Sequence, residues 1–218
     1  MLTIILIVVT SAVSVIAFNN ANLINKLIFY PPAVKQGGWY RLFTYGLLHA
    51  DWTHLILNMF ALYLFGESIE KVFNNVFGLV TGSCLYMLMY ILGLLISILP
   101  TYIKEKNNPY YRSLGASGAV STIIFAYILI YPMNFMGIMF VPIYLPAFLF
   151  GLIYVAISFY LERNQTGNIN HLAHITGGVF GIVYMFLVFG LISGINIFSH
   201  FIDAIQISSF KDLIHFGY

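Results

Sequence analysis

Six apolar runs, separated by segments richer in polar residues, prolines and glycines, set out the chain. The first, Leu2 to Phe18, is interrupted only by Thr3, Thr10, Ser11 and Ser14 and is just long enough to span a bilayer as a helix. A secretory signal peptide is the competing reading, but the basic n-region of one is missing. The second run begins at Trp52, continues through Phe65 and reaches toward Val72. Gly78 to Leu99 is the third, with Pro100 expected to end it. Gly115 to Tyr131 is the fourth, closed by Pro132; Ala147 to Leu161 is the fifth; Leu172 to Ile192 is the sixth.

The segments between them differ in kind. Asn19 to Asp51 is long and mixed, broken by Pro31-Pro32 and Gly37-Gly38, and carries Trp39, Tyr40 and Tyr45. A loop of this length is either ordered and functional or disordered. Its aromatic rings favour an ordered loop in the membrane interface, where such rings are enriched. Thr101 to Ser113 and Glu162 to Asn170 read as polar loops. Met133 to Pro146 is too apolar to be freely solvated, and Pro142 and Pro146 argue against a regular helix through it. In the tail from Asn196, Phe198, Phe201, Ile202 and Ile205 fall at helical spacing, which predicts an amphipathic helix lying along the interface.

The pattern is that of an all-α polytopic membrane protein, with residues 1–195 as one six-helix domain and 196–218 as a short tail. Composition agrees: 61% of the 218 residues are hydrophobic and only 7% charged, against about a quarter charged in soluble domains. A net charge of +2 without a basic stripe gives no reason to expect nucleic acid. Cys84 is the single cysteine, so no internal disulfide is expected, and there is no C-x-x-C or H-E-x-x-H.

Six spans place the starts of the second, fourth and sixth helices on one face of the membrane. The strongly polar residues of the apolar runs gather in those starts: His54 and Asn58, then Ser117, then His171 and His174. Polar groups within spans are costly unless paired or facing a wet cavity, so they default to a functional hypothesis. Ser117 stands in Gly115-Ala116-Ser117-Gly118, where small neighbours let another backbone or a substrate come close. His174, Gly177, Gly178 and Gly181 share one helical face, and Gly177 and Gly181 form a G-x-x-x-G packing pair. If the serine helix is the neighbour, His174 reaches Ser117 as a base reaches a nucleophile. His54 and Asn58, one turn apart, supply donors for the oxyanion of an acyl transfer. The structural alternatives are a packing face of small residues and a buried histidine bonded to a carbonyl. A zinc site from His49, His54, His171 and His174 is a further alternative, weakened by the lack of carboxylates in these turns.

Together these residues resemble the rhomboid family of intramembrane serine proteases. The resemblance rests on His54-x-x-x-Asn58, on Gly115-x-Ser117-Gly118 and on Ala173-His174-x-x-Gly177-x-x-x-Gly181. Trp39-Tyr40-Arg41 is similar to the family's tryptophan–arginine signature, here with Tyr40 inserted, and His49 and Glu70 fall where members tend to have them. The resemblance covers Trp39 to Gly181. It implies a Ser117–His174 dyad, with His54, Asn58 and the Ser117 backbone forming the oxyanion hole. It also implies that Arg41 and Glu70 hold the first loop to the second helix, and that Gly115, Gly118, Gly177 and Gly181 serve packing. No metal or organic cofactor is implied. The expected substrates are single-pass or other membrane proteins met within the lipid bilayer, with small or helix-weakening residues near the cleavage site. A non-catalytic relative that binds membrane clients is the alternative within the same fold.

One position departs from the family. Members often carry an aromatic one turn after the serine, packed on the catalytic imidazole; this chain has Ser121. The orientation of His174 is thereby left to another group, an aromatic on a different helix being the candidate. The fifth helix and the Met133–Pro146 connection are the candidate gate for a substrate helix. The family topology, in a cell membrane with the first helix entering from the cytosol, puts Lys26, Lys35, Arg41, Lys104, Lys106, Arg112 and Arg163 outside and only Lys71 and Lys211 inside. The positive-inside rule favours the reverse.

Overall fold

The computed structural model describes residues 1–137, 141–164 and 169–216. Parts of the expected Met133–Pro146 connection (138–140), of the Glu162–Asn170 loop (165–168) and of the tail (217–218) lie outside the described residues. Helix α1 is Leu2–Phe18. The long first loop is ordered, as its aromatics imply. It holds α2 (Ala21–Leu27), α3 (Pro31–Lys35) and α4 (Arg41–Thr44), followed by a 3-10 turn over Tyr45–Leu47. The Asn20 side chain caps α2 by accepting from Leu23 N at 3.0 Å. Phe29, Val34, Leu42 and Tyr45 enter the main core, so the loop is packed rather than draped.

Asp51 caps α5 (Trp52–Ala61) by accepting from His54 N at 2.8 Å. A π-helical stretch, Leu62–Gly66, joins α5 directly to α6 (Glu67–Phe77). The second helix thus runs to Phe77, one turn past the expected Val72. It stops where Gly78, at φ +80°, turns the chain into α7.

Helix α7 spans Leu79–Glu105 with Pro100 inside it, which corrects the expected end at that proline. An interior proline removes one backbone bond and disfavours a helix by about 3 kcal/mol, but tertiary bonds hold the turn beyond it. Asn170 Nδ2 donates to Thr101 Oγ1 at 3.0 Å, and Lys104 pairs with Glu162 at 2.9 Å.

Helix α8, Ser117–Ile130, is the centre of the bundle: ten of its fourteen residues are buried, and α5, α6, α7, α9 (Ala147–Asn164), α10 (His171–Val188) and α11 (Ile197–Ala204) all pack on it. It starts at Ser117 rather than the expected Gly115 because Gly115, at φ +120°, lies outside helical conformation.

The expectation of an all-α protein needs correction between α8 and α9. Short antiparallel strands β1 (Phe135–Gly137), β2 (Ile143–Pro146) and β3 (His215–Phe216) form a small sheet in the order β1-β2-β3. Pro146 sits where β2 pairs with β1 alone, so its missing N–H disrupts only one edge. The tail helix α11 forms as its periodicity predicts, but it docks on the bundle: Ile197 is buried in the main core and His200 Nε2 donates to Ile130 O at 2.9 Å.

Among the described residues two helical rods, Leu79–Glu105 and His171–Ser193, are long and apolar enough to cross a membrane; Leu2–Phe18 and Ser117–Ile130 are shorter apolar helices. Large apolar side chains such as Leu79, Val80, Leu152, Phe159 and Leu191 point outward, mostly exposed, as lipid-facing residues do.

Candidate active site

Helices α7, α8 and α10 approach as closely as backbone allows, and glycine makes this possible. A methyl group on Gly177 of α10 would fall on the Gly118 carbonyl of α8, one on Gly181 on the Thr122 carbonyl, and one on Gly118 on Ser97 Oγ of α7. Thr122 Oγ1 adds a hydrogen bond across the seam, donating to Gly177 O at 2.9 Å.

That contact brings His174 to Ser117: Nε2 and Oγ are 2.8 Å apart, within the range a nucleophile and its base require. Both side chains are half-buried. The His174 Nδ1 atom has no hydrogen-bond partner among the described residues, and no carboxylate bonds to the ring. Its faces are occupied instead. The Tyr154 ring of α9 lies nearly parallel to it, 20° between planes and 6.1 Å between centroids. The His171 ring meets it edge-on at 5.7 Å.

Ser117 opens α8, so the first-turn amides have no acceptor within the helix and carry the positive end of its dipole. Beside them stands His54: a methyl on Gly115 would lie 2.7 Å from its Cε1 and 3.0 Å from its Nε2. Only glycine fits at this positive φ and under this ring. Asn58 is buried, and its Nδ2 donates to His54 O at 2.9 Å, leaving the second amide hydrogen available.

His49 has a place the sequence did not assign. Ser14 Oγ donates to Leu47 O at 2.8 Å, so it accepts from His49 Nδ1 at 2.9 Å. His49 Nε2 is then free to accept from Ala116 N, a long contact at 3.5 Å. The imidazole links α1 to the residue before the serine, in the neutral Nδ1–H form. Burial, aided by the neighbouring His54, pushes its pKa from 6.5 down to about 3. Between those values the unfolded chain binds a proton that the folded one does not, so stability present above pH 6.5 is lost as pH falls toward 3. Thermal unfolding in detergent at pH 7 and pH 4.5 is expected to show a smaller acid loss for His49→Gln than for the parent. An equal loss would remove His49 from this role.

Arg41 and Glu70 do not bridge the first loop to the second helix as the resemblance implies. Arg41 Nη1 donates to Asn25 O and Ile28 O, both at 2.8 Å, stabilising the carbonyl end of α2 inside the loop. Glu70 turns to α1, accepting from Leu2 N and Thr3 N at 2.9 Å and from Thr3 Oγ1 at 2.8 Å. Trp39 stands largely exposed at the loop surface. The four histidines considered for zinc pair as His49–His54 and His171–His174, and no group of three candidate ligands gathers among the described residues.

A family model described as the Rhomboid domain matches residues 36–191. The chain belongs to the rhomboid family. It is similar to "Putative rhomboid protease YdcA" of Bacillus subtilis (strain 168), 34% identical over 91 residues, 42% of this chain and 41% of that protein. It is 27% identical to the mitochondrial RHOMBOID-like protein 12 of Arabidopsis thaliana over 172 residues, 73% of this chain and 49% of that one. With the chloroplastic Rhomboid-like protein 11 of the same plant it shares 30% over 165 residues, 69% and 52%. The alignments span about half or less of the length of these relatives. Family and apolar helices together make this rhomboid an integral membrane protein.

The site of this rhomboid holds two features that its motifs do not announce. Tyr154 lies far from every motif in sequence, and a tyrosine in an apolar run gives no signal of its own. A cavity of about 320 Å³ opens beside the start of α10, lined by Thr101, Lys104, Tyr111, Glu162, Asn170 and His171 among others. Its lining reaches Leu172 on α10, two residues short of His174.

Proposed function

We propose that this rhomboid is an intramembrane serine endopeptidase that cleaves transmembrane segments of other membrane proteins with a Ser117–His174 dyad. The 2.8 Å contact between Ser117 Oγ and His174 Nε2, on two helices locked together at Gly177, is the observation that carries the reading. Six spans within residues 1–195, a docked tail and a place in the cell membrane belong to the same proposal.

His174 takes the Ser117 proton as Oγ attacks the scissile carbonyl. The oxyanion is received by the Ser117 N–H, the free Asn58 amide hydrogen and the His54 ring, each such donor contributing about 3 kcal/mol. The imidazolium protonates the leaving amine, and an acyl-enzyme on Ser117 remains. Water, activated by His174 in turn, releases the second product and restores Ser117. The cavity beside His171 offers that water a polar approach from the loop face. The chemistry draws on no metal or organic cofactor.

Depth follows from helix length. Fourteen residues of α8 rise about 21 Å, less than the roughly 30 Å of a bilayer's hydrocarbon core. With Ile130 near one interface, Ser117 lies well beneath the other. A substrate helix hides its carbonyls in i to i+4 bonds and must unwind before Ser117 can attack, which favours small or helix-weakening residues at the cut.

The test uses the purified chain in detergent and a labelled synthetic transmembrane peptide containing Gly, Ala and one Pro. The parent is expected to cleave it equally with and without EDTA, and Ser117→Ala on the order of 10⁴-fold more slowly. Equal cleavage by Ser117→Ala would overturn the proposal.

A further inference from the structure

A catalytic imidazole must keep one ring nitrogen on the nucleophile, and a hydrogen bond to its other nitrogen commonly fixes that orientation. His174 has no such bond among the described residues. Rotation about its Cβ–Cγ bond would swing Nε2 away from Ser117, and the contacts on the ring faces oppose that rotation.

Tyr154 supplies one face in an offset stack, within the 4.5–7 Å centroid separation that aromatic pairs favour. The tyrosine is itself fixed. Its hydroxyl and Ser121 Oγ are 2.8 Å apart, and Phe125 packs on its ring at 5.9 Å. Ser121 is buried at 1% exposure and lies one helical turn beyond Ser117 on α8. The helix that carries the nucleophile therefore also holds the ring that holds the base. Four side chains, Ser117, His174, Tyr154 and Ser121, close a circuit across three helices.

We propose that Tyr154, anchored by Ser121, is the positioning residue for His174, and that seating of α9 on α8 is what sets the Ser117–His174 geometry. This rests on the dyad reading given above. Helix α9 buries little of its surface in the bundle: of its eighteen residues only Ala147, Gly151 and Ser158 are buried, and Leu152, Phe159 and Tyr160 are more than 60% exposed. Displacing α9 withdraws the tyrosine from His174 while α8 and α10 stay locked at Gly177. The base is then free to rotate although both dyad residues remain on fixed helices. A filler role for Tyr154 would instead be satisfied by any side chain of similar bulk.

Fluorophosphonate labelling of the full chain in detergent separates the two roles. Ser117 Oγ displaces fluoride from phosphorus as its proton passes to His174 Nε2, so kinact reports the dyad and KI reports access. Tyr154→Leu, which keeps a branched apolar side chain without a ring, is expected to lower kinact on the order of 10²-fold, the scale of a small misplacement of a reacting group, with KI unchanged. Tyr154→Phe keeps the stack and loses only the Ser121 bond, so it is expected to recover most of that rate, and Ser121→Ala to match it. In the NMR spectrum of histidine-labelled protein, the ring-current shift that Tyr154 imposes on His174 should be lost in Tyr154→Leu and persist in Tyr154→Phe, over the smaller constant contribution of His171. Labelling of Tyr154→Leu at the parental rate, or equal losses in Leu and Phe, would overturn the proposal. Ser117→Ala labelling as fast as the parent would instead defeat the dyad reading. In that case the ring-current shift still decides the stack, and an unchanged shift in Tyr154→Leu would refute it.

Discussion

Ser117→Ala, His174→Ala and the double variant are each expected to lower peptide cleavage by on the order of 10⁴-fold, and the losses should not add. The reason lies in the geometry. In the proposed mechanism the 2.8 Å contact makes nucleophile and base one unit, and neither acts without the other. An unassisted serine hydroxyl is almost wholly protonated near neutral pH, and without Ser117 no acyl-enzyme forms for His174 to resolve. Residual cleavage in each variant would come from binding and the oxyanion donors alone. Cleavage rates of the two single variants and the double, measured with the same peptide, check this. Additive losses, with the double variant far below either single one, would mean that Ser117 and His174 act separately.

Gly177→Val is expected to abolish fluorophosphonate labelling, at least 10²-fold, and to lower the unfolding temperature. The added Cβ would fall on the Gly118 carbonyl, so α8 and α10 must part. Overpacking of this kind typically destabilises by about 1–3 kcal/mol, and rigid backbone on the far side leaves little room to relax. Parting the helices stretches the Thr122–Gly177 bond and moves His174 away from Ser117, where even 1 Å is worth roughly 10²-fold. Gly190, which follows α10 in the same rod, is the control: a Cβ there meets nothing within 4 Å, so Gly190→Ala should label and melt like the parent. A Gly177→Val protein that labels normally would show that the close approach is not needed.

The residues of the candidate site were more legible in the sequence than their supports. That Ser117, His174, His54 and Asn58 stand near one another could be read because polar residues stand out in apolar runs, and because topology places the three helix starts on one face. Gly177 and Gly181 were legible from their spacing, and the structure gives each a specific carbonyl to clear. Local rules failed where tertiary contacts outweighed them. Pro100 does not end α7, because Asn170 and Glu162 hold the turn beyond it. The strands between α8 and α9 depend on the tail for their third member, a partner no local pattern names. Ser121 signalled that His174 lacked its usual neighbour. That the replacement is Tyr154, with Ser121 holding it, depends on how α9 packs and could not be read from spacing. The roles implied for Arg41 and Glu70 failed for the same reason: each finds backbone groups on a different element from the one expected.

The most direct measurement is the site of covalent attachment. The chain is labelled in detergent with a fluorophosphonate, digested, and the modified peptide sequenced by mass spectrometry. A single adduct on Ser117, absent when His174 is replaced by alanine, is the predicted result. An adduct on another residue, or none on a folded chain that still cleaves the transmembrane peptide, would contradict the account.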